Sequence, residues 1–466
     1  MRTIKVKSAR ASSRVERRKQ GKLLREKCSR TSQAEWKPRS KSNDIIDLLQ
    51  ESDANRIPGL VPVKYQRMAV SPFTFFRGAA ILQARDLAHT PGSGVMVQAC
   101  GDCHLANFGG FASPERALVF DINDFDETFP GPWEWDIKRL GASLVLAARD
   151  RNYSKTVAHQ AARAAATSYR EHMSEFADMN VLEVWYSKVS AVDLEEYFRK
   201  DKDIMARLTR KQKQARSQNS EAVIPKLTEV VDGRRRIKDN PPVLYHFDKY
   251  AKNLEEGHEK FIEQYTQSLQ PDRQKLLARY QLQDSAIKVV GVGSVGTRCY
   301  LVLLLAEGTD PLFLQVKEAR RSVLEPPHGK SRYAHQGFRV VEGQRLMQAA
   351  SDIFLGWART RKHDYYLRQF RDMKVSAEIE TFRPATLIAY ATVCGWALAR
   401  AHAKAGDPAM IAGYLGSAEQ FDEALARHSE AYADQAERDF ETFQRAIRSG
   451  RLSTDVEKSA GLEFLV

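Results

Sequence analysis

An acidic loop and the acidic run that follows it are the residues of this chain best suited to chemistry. The loop is Gly101-Asp102-Cys103-His104-Leu105-Ala106-Asn107, and the run is Asp121-Ile122-Asn123-Asp124-Phe125-Asp126-Glu127. An Asp and an Asn separated by four residues can serve phosphoryl transfer, in which the Asp receives a hydroxyl proton and the Asn binds magnesium. Nucleotide-bound Mg²⁺ also prefers carboxylate oxygen, which the run supplies. We therefore expect ATP-dependent phosphoryl transfer with Asp102 as the catalytic base.

A glycine-rich loop lies much later in the chain. Gly291-Val292-Gly293-Ser294-Val295-Gly296 fits G-x-G-x-x-G, a pattern of both dinucleotide-binding folds and kinases. The dinucleotide-binding version turns from a strand into a helix, whereas residues 297–305 are aromatic and aliphatic, as in a strand. A strand, a glycine loop and a strand are typical of kinases, where glycines let backbone N–H groups approach phosphates. We expect Gly291, Gly293 and Gly296 to cover the phosphates of ATP.

Lys317 ends the strand predicted after this hairpin, within Phe313-Leu314-Gln315-Val316-Lys317. A lysine there can reach the nucleotide phosphates, and it needs a carboxylate to orient it. Glu342, in the predicted helix over residues 337–350, is the candidate partner. A plain hairpin with a surface Lys and Glu is the alternative, but the order of the features favours a nucleotide site.

The order of the two loops is the reverse of that in an ordinary kinase, where the glycine loop comes first. Either one motif is accidental or the chain is circularly permuted. Permutation predicts that the helix normally leading into the catalytic loop lies near the C-terminus. The stretch Trp396-Ala397-Leu398-Ala399-Arg400-Ala401-His402-Ala403 resembles that helix, and no Asp/Asn loop follows it. Permutation costs little where the chain termini lie close together.

The acidic loop resembles the G-D-x-H-x-x-N loop of aminoglycoside phosphotransferases and choline-kinase-like enzymes. Most of the chain from about Pro62 resembles the bacterial family known as domain of unknown function 2252. The stretches that carry this second resemblance are Ser71 to Gly78, Gly101 to Gly109, Asn123 to Glu127, Gly131 to Asp136, Val340 to Gln344 and Leu398 to Ala403. The resemblance implies an α+β, two-lobed, protein-kinase-like fold, here circularly permuted, and it assigns no substrate.

Carried over residue by residue, the resemblance makes Asp102 the catalytic base, Asn107 a magnesium ligand and Asp136 a brace for the catalytic loop. The second metal carboxylate is Asp121 or Asp124. Asp121 has the better distance from Asn107 and the better preceding strand. Asp124 has the better spacing to Asp136 and is slightly preferred. The family pattern has His before the Gly-Asp pair, whereas this chain has Cys100, which weakens any inference about rate.

The same loop also reads Cys100-Gly101-Asp102-Cys103-His104, or C-x-x-C-H, the attachment pattern of c-type haem. Haem explains neither Asn107 nor Asp124, and no export signal is visible, so phosphoryl transfer is favoured. Zinc bound by the two cysteines and the histidine lacks a nearby fourth ligand. A redox pair of cysteines remains a further alternative.

The elements that position these motifs divide the chain into four parts. They are a basic, disordered or loosely helical tail (1–45), a helical lobe with the catalytic loop (46–279), a small sheet lobe with the glycine loop (280–375) and C-terminal helices that complete the helical lobe (376–466). Among the predicted elements are strands over residues 118–122 and 298–305, helices over 135–149, 157–176 and 247–277, a hairpin over 226–237 and a charged connector over 200–222. Hydrophobic periodicity and turn residues carry these predictions.

Charge is concentrated in the tail. The chain of 466 residues has a net charge of +13, and residues 1–45 hold 15 Lys and Arg against 4 Asp and Glu, a surplus of 15 − 4 = 11. Such a tail can bind nucleic acid or an acidic surface, but without aromatic interleaving a solvated leader is favoured. No apolar run approaches the roughly 18 residues of a membrane span, and five cysteines argue against a disulfide framework. We expect a cytoplasmic protein that does not enter a membrane.

The sequence therefore predicts an ATP- and Mg²⁺-dependent phosphotransferase that acts on the hydroxyl of a small molecule. Two other classes remain open. One is a nucleotide-binding pseudokinase or a nucleotidyl transferase on the same fold, and the other is a nucleic-acid-binding protein that acts through residues 1–45.

Overall fold

A large antiparallel sheet and a body of helices meet at the acidic run. The computed structural model describes residues 12–39, 44–217, 220–246, 258–289, 291–370 and 373–455. The mixture of helices and strands confirms the predicted α+β class. Parts of the predicted tail (1–11 and 40–43), of the helix over 247–277 (247–257) and of the C-terminal segment (456–466) lie outside the described residues.

The described residues form thirteen strands. They are β1 (Met96–Ala99), β2 (Phe108–Ala112), β3 (Leu118–Ile122), β4 (Phe129–Pro132), β5 (Thr228–Val231), β6 (Arg234–Ile237), β7 (Leu244–Tyr245), β8 (Gln281–Lys288), β9 (Cys299–Ala306), β10 (Asp310–Ala319), β11 (Gly356–Arg359), β12 (Asp364–Gln369) and β13 (Val375–Ser376).

Six of these strands build the large sheet, in the spatial order β11-β12-β10-β9-β8-β7 with every neighbouring pair antiparallel. The central strands β9 and β10 are apolar on both faces and lie between two hydrophobic clusters. Lys317 lies opposite Cys299 on β9 and Tyr366 on β12. The sheet therefore holds Lys317 at the centre of a rigid element.

Seven strands lie outside the large sheet, in three smaller sheets. Strands β1 and β4 pair with each other, and the acidic loop and the acidic run lie between them in the sequence. Strands β13-β2-β3 form a three-stranded sheet, and β5 and β6 form the predicted hairpin. Asp232 and Gly233 at the tip of that hairpin both have positive φ, as a tight two-residue turn requires. Strands β1 and β3 end at the acidic loop and at the acidic run, so they deliver both motifs to one region.

The α-helices begin with α1 (Arg14–Leu23), α2 (Ile45–Asp53), α3 (Val61–Met68), α4 (Pro72–Gly78), α5 (Ala80–Leu87), α6 (Trp133–Asp150), α7 (Lys155–Asp178), α8 (Val181–Tyr186), α9 (Ala191–Phe198), α10 (Lys202–Arg216) and α11 (Ser220–Leu227). They continue with α12 (His258–Ser268), α13 (Pro271–Leu277), α14 (Glu325–His328), α15 (Gln336–Met347), α16 (Pro384–Ala405), α17 (Pro408–Leu415) and α18 (Gln420–Arg448).

Helices α6, α7, α16 and α18 surround the largest hydrophobic core. The alanines of α7 allow close helix packing, since a Cβ on Gly395 of α16 would come within 2.2 Å of the Ala165 carbonyl oxygen. Trp133 is fully buried and stacks on Tyr169, with ring centroids 5.4 Å apart. C-terminal helices thus pack directly on the helices that follow the acidic run.

The N-terminal segment differs from the predicted disordered tail. Helix α1 lies against α17, where a Cβ on Gly21 would come within 2.0 Å of the Met410 carbonyl oxygen. Arg25 and Arg30 donate to carbonyl groups in the last turn of α17, which helix ends leave without partners. The prediction of a solvated leader is therefore wrong for residues 12–39, because these arginines bind acceptors of the same chain.

Other differences concern short or polar elements. The predicted charged connector over residues 200–222 contains helix α10 and the start of α11, and an ion pair of 2.5 Å between Lys211 and Glu378 attaches α10. Where the structure describes the chain, no helix is both long enough and apolar enough to cross a lipid bilayer.

Candidate active site

The acidic loop projects Asp102 into a cleft. Gly101 has φ = +84°, and a Cβ there would come within 2.3 Å of the Glu127 carbonyl oxygen, so only glycine fits. Asp102 Oδ1 accepts a hydrogen bond of 2.6 Å from Arg139 Nε, and the side chain is 23% exposed. Its Oδ2 lies 3.8 Å from His104 Nε2, whose pKa burial lowers to about 3. The His104 ring is therefore neutral near pH 7, and no described side chain donates a hydrogen bond to Oδ2.

Asp136 braces this loop, as the sequence predicts. Its carboxylate accepts from the backbone N–H groups of Cys100 (2.6 Å) and Gly101 (2.9 Å). His402 Nε2 donates to the same carboxylate at 3.1 Å, and Tyr169 OH donates to His402 Nδ1 at 2.8 Å. All these side chains are buried, so a satisfied hydrogen-bond network fixes the start of the loop from α6, α7 and α16.

Asn107 and Asp124 lie side by side. The Asn107 amide nitrogen donates to the carbonyl oxygens of Asp124 (2.9 Å) and Asp102 (3.1 Å). Its oxygen is consequently the side-chain atom available for a cation. The Asp124 carboxylate is 36% exposed at the cleft. An amide oxygen and a carboxylate suit Mg²⁺, which usually takes one or two protein ligands and completes its shell with phosphates and water.

Asp121 lies elsewhere, so its prediction as the alternative metal ligand is wrong. Its side chain is fully buried and accepts from Arg400 Nη2 at 2.9 and 3.0 Å. It also accepts from the backbone N–H of Ala349 at 2.8 Å. Strand alternation explains the outcome, because neighbouring positions of β3 face opposite sides, and Asp121 faces the helical core.

Lys317 joins the sheet to the acidic run. Its ammonium nitrogen lies 3.1 Å from Asp124 Oδ2 and 2.8 Å from Asp126 Oδ2. Tyr366 OH donates to the other oxygen of Asp126 at 2.6 Å. The lysine side chain is only 2% exposed, so these two carboxylates provide its charge balance in the interior.

The predicted partner of Lys317, Glu342, is wrong. The α15 side chain that reaches the acidic run is Arg339, which donates to the carbonyl oxygens of Asp126 (2.8 Å) and Thr128 (2.5 Å). Helix α15 is thus anchored through backbone acceptors, and the carboxylates of Asp124 and Asp126 are left for Lys317. Glu342 lies one turn further along α15 and is half-buried.

The pKa values of Lys317, Asp124 and Asp126 are shifted in different directions. Burial raises the pKa of the Asp124 carboxyl, but the positive charges of Lys317 and Arg368 outweigh it, so the pKa lies well below its ordinary value. Burial and the charge of Asp124 raise the pKa of Asp126. Burial lowers the pKa of Lys317, yet Asp124 and Asp126 raise it well above its ordinary value. Asp124 and Lys317 are therefore both charged near pH 7.

The glycine loop connects β8 and β9 and lies against the acidic run. Gly291 and Gly296 have positive φ, +66° and +84°. Ser294 Oγ donates to Asp126 Oδ2 at 3.4 Å. Arg67 donates to the Gly291 carbonyl oxygen at 2.6 Å, and Arg56 donates to the Val295 carbonyl oxygen at 2.5 Å. The early and late motifs thus face each other, and N-terminal arginines hold the loop in position.

Two cavities open on either side of this junction. The sheet-side cleft, about 890 Å³, is lined by Phe111, Leu312, Gln315, Lys317, Arg368 and Phe370, among others. The loop-side cleft, about 960 Å³, is lined by Arg77, Asp102, Asn107, Asp126, Gly293 and Thr297, among others. Asp124 and Ser294 line both clefts. The pairing of β10 with β12 brings Tyr366 and Arg368 to the site, which no sequence motif indicated.

The cysteines of the C-x-x-C-H pattern lie beneath the loop. Cys100 and Cys103 are fully buried, and burial raises the pKa of both thiols. Covalent attachment of a haem would require both to leave the core. Over the described residues, no group of three or more His, Cys, Asp and Glu side chains is arranged to hold a metal ion.

Comparison with known proteins gives one family. The family model described as an uncharacterized protein conserved in bacteria, DUF2252, matches residues 56–446. No curated protein and no solved structure matches the chain. The matched region contains both loops, Lys317 and the helices that brace Asp102.

Proposed function

The chain belongs to the bacterial DUF2252 family, and we propose that it is an ATP- and Mg²⁺-dependent phosphotransferase of kinase-like fold. The acceptor is the hydroxyl group of a small molecule. One observation carries the proposal. Lys317 of the sheet contacts Asp124 of the acidic run at 3.1 Å, in a cleft region shared by the glycine loop, Asp102 and Asn107. These are the parts that kinase-type phosphoryl transfer requires.

The sheet-side cleft suits the nucleoside part of ATP. Its walls include Phe111, Leu312, Ile353 and Phe370, which offer apolar surface to a base, and it ends at Lys317 and Asp124. Phosphates that extend from it meet Lys317, Asp124 and the glycine loop. The acceptor then approaches from the loop-side cleft, where Asp102 lies.

The chain's residues divide the chemistry as follows. Arg139 holds Asp102 Oδ1, so Oδ2 is oriented toward the acceptor hydroxyl and takes its proton. The acceptor oxygen forms a bond to the γ-phosphorus while the bond to the ADP oxygen breaks. Lys317 offsets the phosphate charge, and Asn107 and Asp124 hold the cation. Bound Mg²⁺ would neutralise charge on the β- and γ-phosphate oxygens.

A circularly permuted chain is part of the proposal. The end of α16 lies beside β1, the strand that enters the catalytic loop, since a Cβ on Gly406 would come within 2.5 Å of Val97 Cγ1. His402 in the same helix end donates to the carboxylate that braces the loop. This is the juxtaposition expected if the equivalent of α16 leads into the loop in an unpermuted chain; here α16 is followed by α17, and the loop is entered from β1.

The test is Mg²⁺-dependent release of ADP from ATP, with water or a panel of hydroxyl compounds as acceptor. Asp102→Asn keeps an acceptor for Arg139 and removes the base. We expect a loss of turnover of about 10²- to 10⁴-fold with nucleotide affinity unchanged. Asp150→Asn, on an exposed residue at the far end of α6, is the matched control. Equal turnover of Asp102→Asn and the wild type would contradict the role of Asp102.

A second candidate is a nucleotide-binding protein that does not transfer phosphate to a hydroxyl. The observation that favours it is the pairing of Lys317 with Asp124 and Asp126 instead of Glu342, because active protein kinases need the Lys–Glu pair. The products separate the cases. ADP indicates a phosphotransferase, AMP indicates a nucleotidyl transferase, and binding without either product indicates a pseudokinase.

A further inference from the structure

The loop-side cleft contains a positively charged side chain, Arg77, together with the proposed catalytic base, Asp102. Arg77 and Asp102 both line this cleft, and neither lines the sheet-side cleft. Arg77 lies in the last turn of α4, and a Cβ on Gly293 of the glycine loop would come within 3.2 Å of its carbonyl oxygen. Because Arg77 and Asp102 line the same cleft, Arg77 is on the side from which an acceptor would approach Asp102.

Arg77 differs from the other arginines around the site. Arg139 is bound to Asp102, Arg339 to backbone carbonyls and Arg56 to Asp53 and Val295. Among the described residues, Arg77 has neither an ion pair nor a hydrogen bond, and its Nε is buried without a partner. The guanidinium carbon lies 5.7 Å from the centroid of the Phe73 ring. Burial lowers the pKa of Arg77, and the charge of Asp102, although not within ion-pair distance, partly offsets this lowering. A half-buried guanidinium without an ion-pair partner costs free energy, and a bound anion would provide that partner.

The charges of the loop-side cleft also favour an anionic ligand. Its carboxylates at Asp102, Asp124, Asp126, Glu318 and Asp364 are in ion pairs with basic side chains. Two more lining carboxylates, Glu127 and Glu325, accept hydrogen bonds from backbone N–H groups instead. Its rim also carries four cations for which the described residues provide no ion-pair partner, and these are Arg321, Lys330, Arg361 and Lys362. The charge left for a ligand is thus mainly positive.

We propose that the acceptor is a small hydroxyl compound with an anionic group, a phosphate or a carboxylate, and that Arg77 binds this group. The inference rests on the proposed function and specifies the substrate class of the same site. The planar guanidinium can hold two oxygens of a phosphate or a carboxylate at once. With the anion on Arg77, the hydroxyl of the same molecule is directed to Asp102 Oδ2.

The experiment uses the full chain with the nucleotide site saturated by a non-hydrolysable ATP analogue and Mg²⁺, and inorganic phosphate as the probe. We expect phosphate to bind the wild type under these conditions, and Arg77→Gln to weaken that binding about tenfold or more. Nucleotide affinity should change by less than about twofold, which is well below the tenfold change in affinity that corresponds to about 1.4 kcal/mol. Arg361→Gln, a rim cation of the same cleft, should have a smaller effect because exposed charges are screened.

Three outcomes would overturn the inference. Phosphate does not bind when the nucleotide analogue is present, phosphate binds equally to Arg77→Gln, or Arg77→Gln weakens the nucleotide and not the phosphate. The last outcome would make Arg77 a γ-phosphate contact and leave the proposed function intact. Absence of nucleotide binding in the wild type would instead contradict the proposed function itself. Arg77→Lys, which keeps the charge and loses the two-pronged geometry, should fall between wild type and Arg77→Gln, and its thermal unfolding reports whether the fold is retained.

Discussion

Lys317 balances two carboxylates that differ in their readiness to ionise. Asp124 has a lowered pKa and lies at the junction of the clefts, whereas Asp126 has a raised pKa and is held by Tyr366. Without Lys317, two acidic groups would share one site with Arg368 as a neighbouring cation. The lysine thus stabilises the acidic run before any nucleotide is bound.

Replacement of Lys317 by Met should destabilise the protein in a pH-dependent way. In the wild type the lowered pKa of Asp124 adds stability above its unfolded pKa, about 3.9, and this stability is lost only as the pH falls through the lower folded value. In Lys317→Met the like charges raise the carboxyl pKa values, so protonation stabilises the variant as the pH falls from 7 to 5. We expect a deficit of about 3 kcal/mol near pH 7 that narrows at pH 5, measured by chemical denaturation.

Lys330→Met provides the control, since this exposed lysine is on the rim of the loop-side cleft. Its free energy of unfolding should stay within about 0.5 kcal/mol of the wild type at both pH values. A deficit of Lys317→Met that is the same at pH 7 and pH 5 would contradict the electrostatic explanation.

At the scale of elements, the long and strongly patterned segments could be predicted from the sequence and the tertiary pairings could not. Strand β3, helices α6 and α7 and the hairpin of β5 and β6 lie where hydrophobic periodicity and the Asp-Gly turn indicate. Arg339 and Glu342 lie one turn apart on the same helix, and periodicity alone does not tell which of them faces the acidic run. The sequence predicts a disordered or loosely helical segment over residues 1–45. The packing of α1 could not be predicted because Arg14 and Arg18 donate to carbonyl groups, which leave no sequence signal.

The tight turn at Gly101 gives an element-scale prediction. Gly101 and Gly233 both have positive φ, but a Cβ at Gly101 meets the Glu127 carbonyl oxygen at 2.3 Å, and a Cβ at Gly233 meets nothing within 4 Å. Gly233→Ala should cost about 1 kcal/mol of unfolding free energy for its backbone conformation alone. Gly101→Ala should cost about 1–3 kcal/mol more because of overpacking and should reduce turnover. Equal losses in the two variants would mean that the loop has room to relax.

The N-terminal segment gives a second prediction at this scale. Deletion of residues 1–36 removes α1 and the contact between Trp36 and Tyr432, whose ring centroids are 4.7 Å apart, and uncovers the carbonyl ends of α17. Thermal unfolding should occur several degrees lower, since each lost kcal/mol shifts the midpoint by about 2–4 °C in large domains. Deletion of residues 1–11 alone is the control, because it removes 4 of the 12 Lys and Arg residues of segment 1–36 and leaves these contacts in place. If both deletions leave the midpoint unchanged, α1 does not contribute to stability.

For the whole molecule, the central fact is that parts distant in the chain converge. Lys317 and Asp124 are 193 positions apart in the chain. Their contact lies between the large sheet on one side and the helices on the other. The reversed order of the motifs is compatible with one cleft because β1 and the end of α16 are neighbours. The packing of α16 on β1 places these elements side by side although they are far apart in the chain.

A ligand that binds across this junction should stabilise the whole fold. Asp121 and Asp124, the two candidate metal ligands that the sequence leaves open, should differ in whether their replacement removes the Mg²⁺-dependent part of this stabilisation. At a concentration about 100 times its dissociation constant, a Mg²⁺-bound ATP analogue should add about 2.7 kcal/mol to the unfolding free energy. Asp124→Asn should lose the Mg²⁺-dependent part of this gain and should itself be less stable than the wild type, because it removes one of the two carboxylates that balance the buried Lys317. Asp121→Asn should be less stable by about 3 kcal/mol, since it removes the charge that balances the buried Arg400, and should keep the Mg²⁺-dependent gain. Thermal and chemical unfolding with and without Mg²⁺ measure both effects, and the reverse pattern would move the metal site from Asp124 to Asp121.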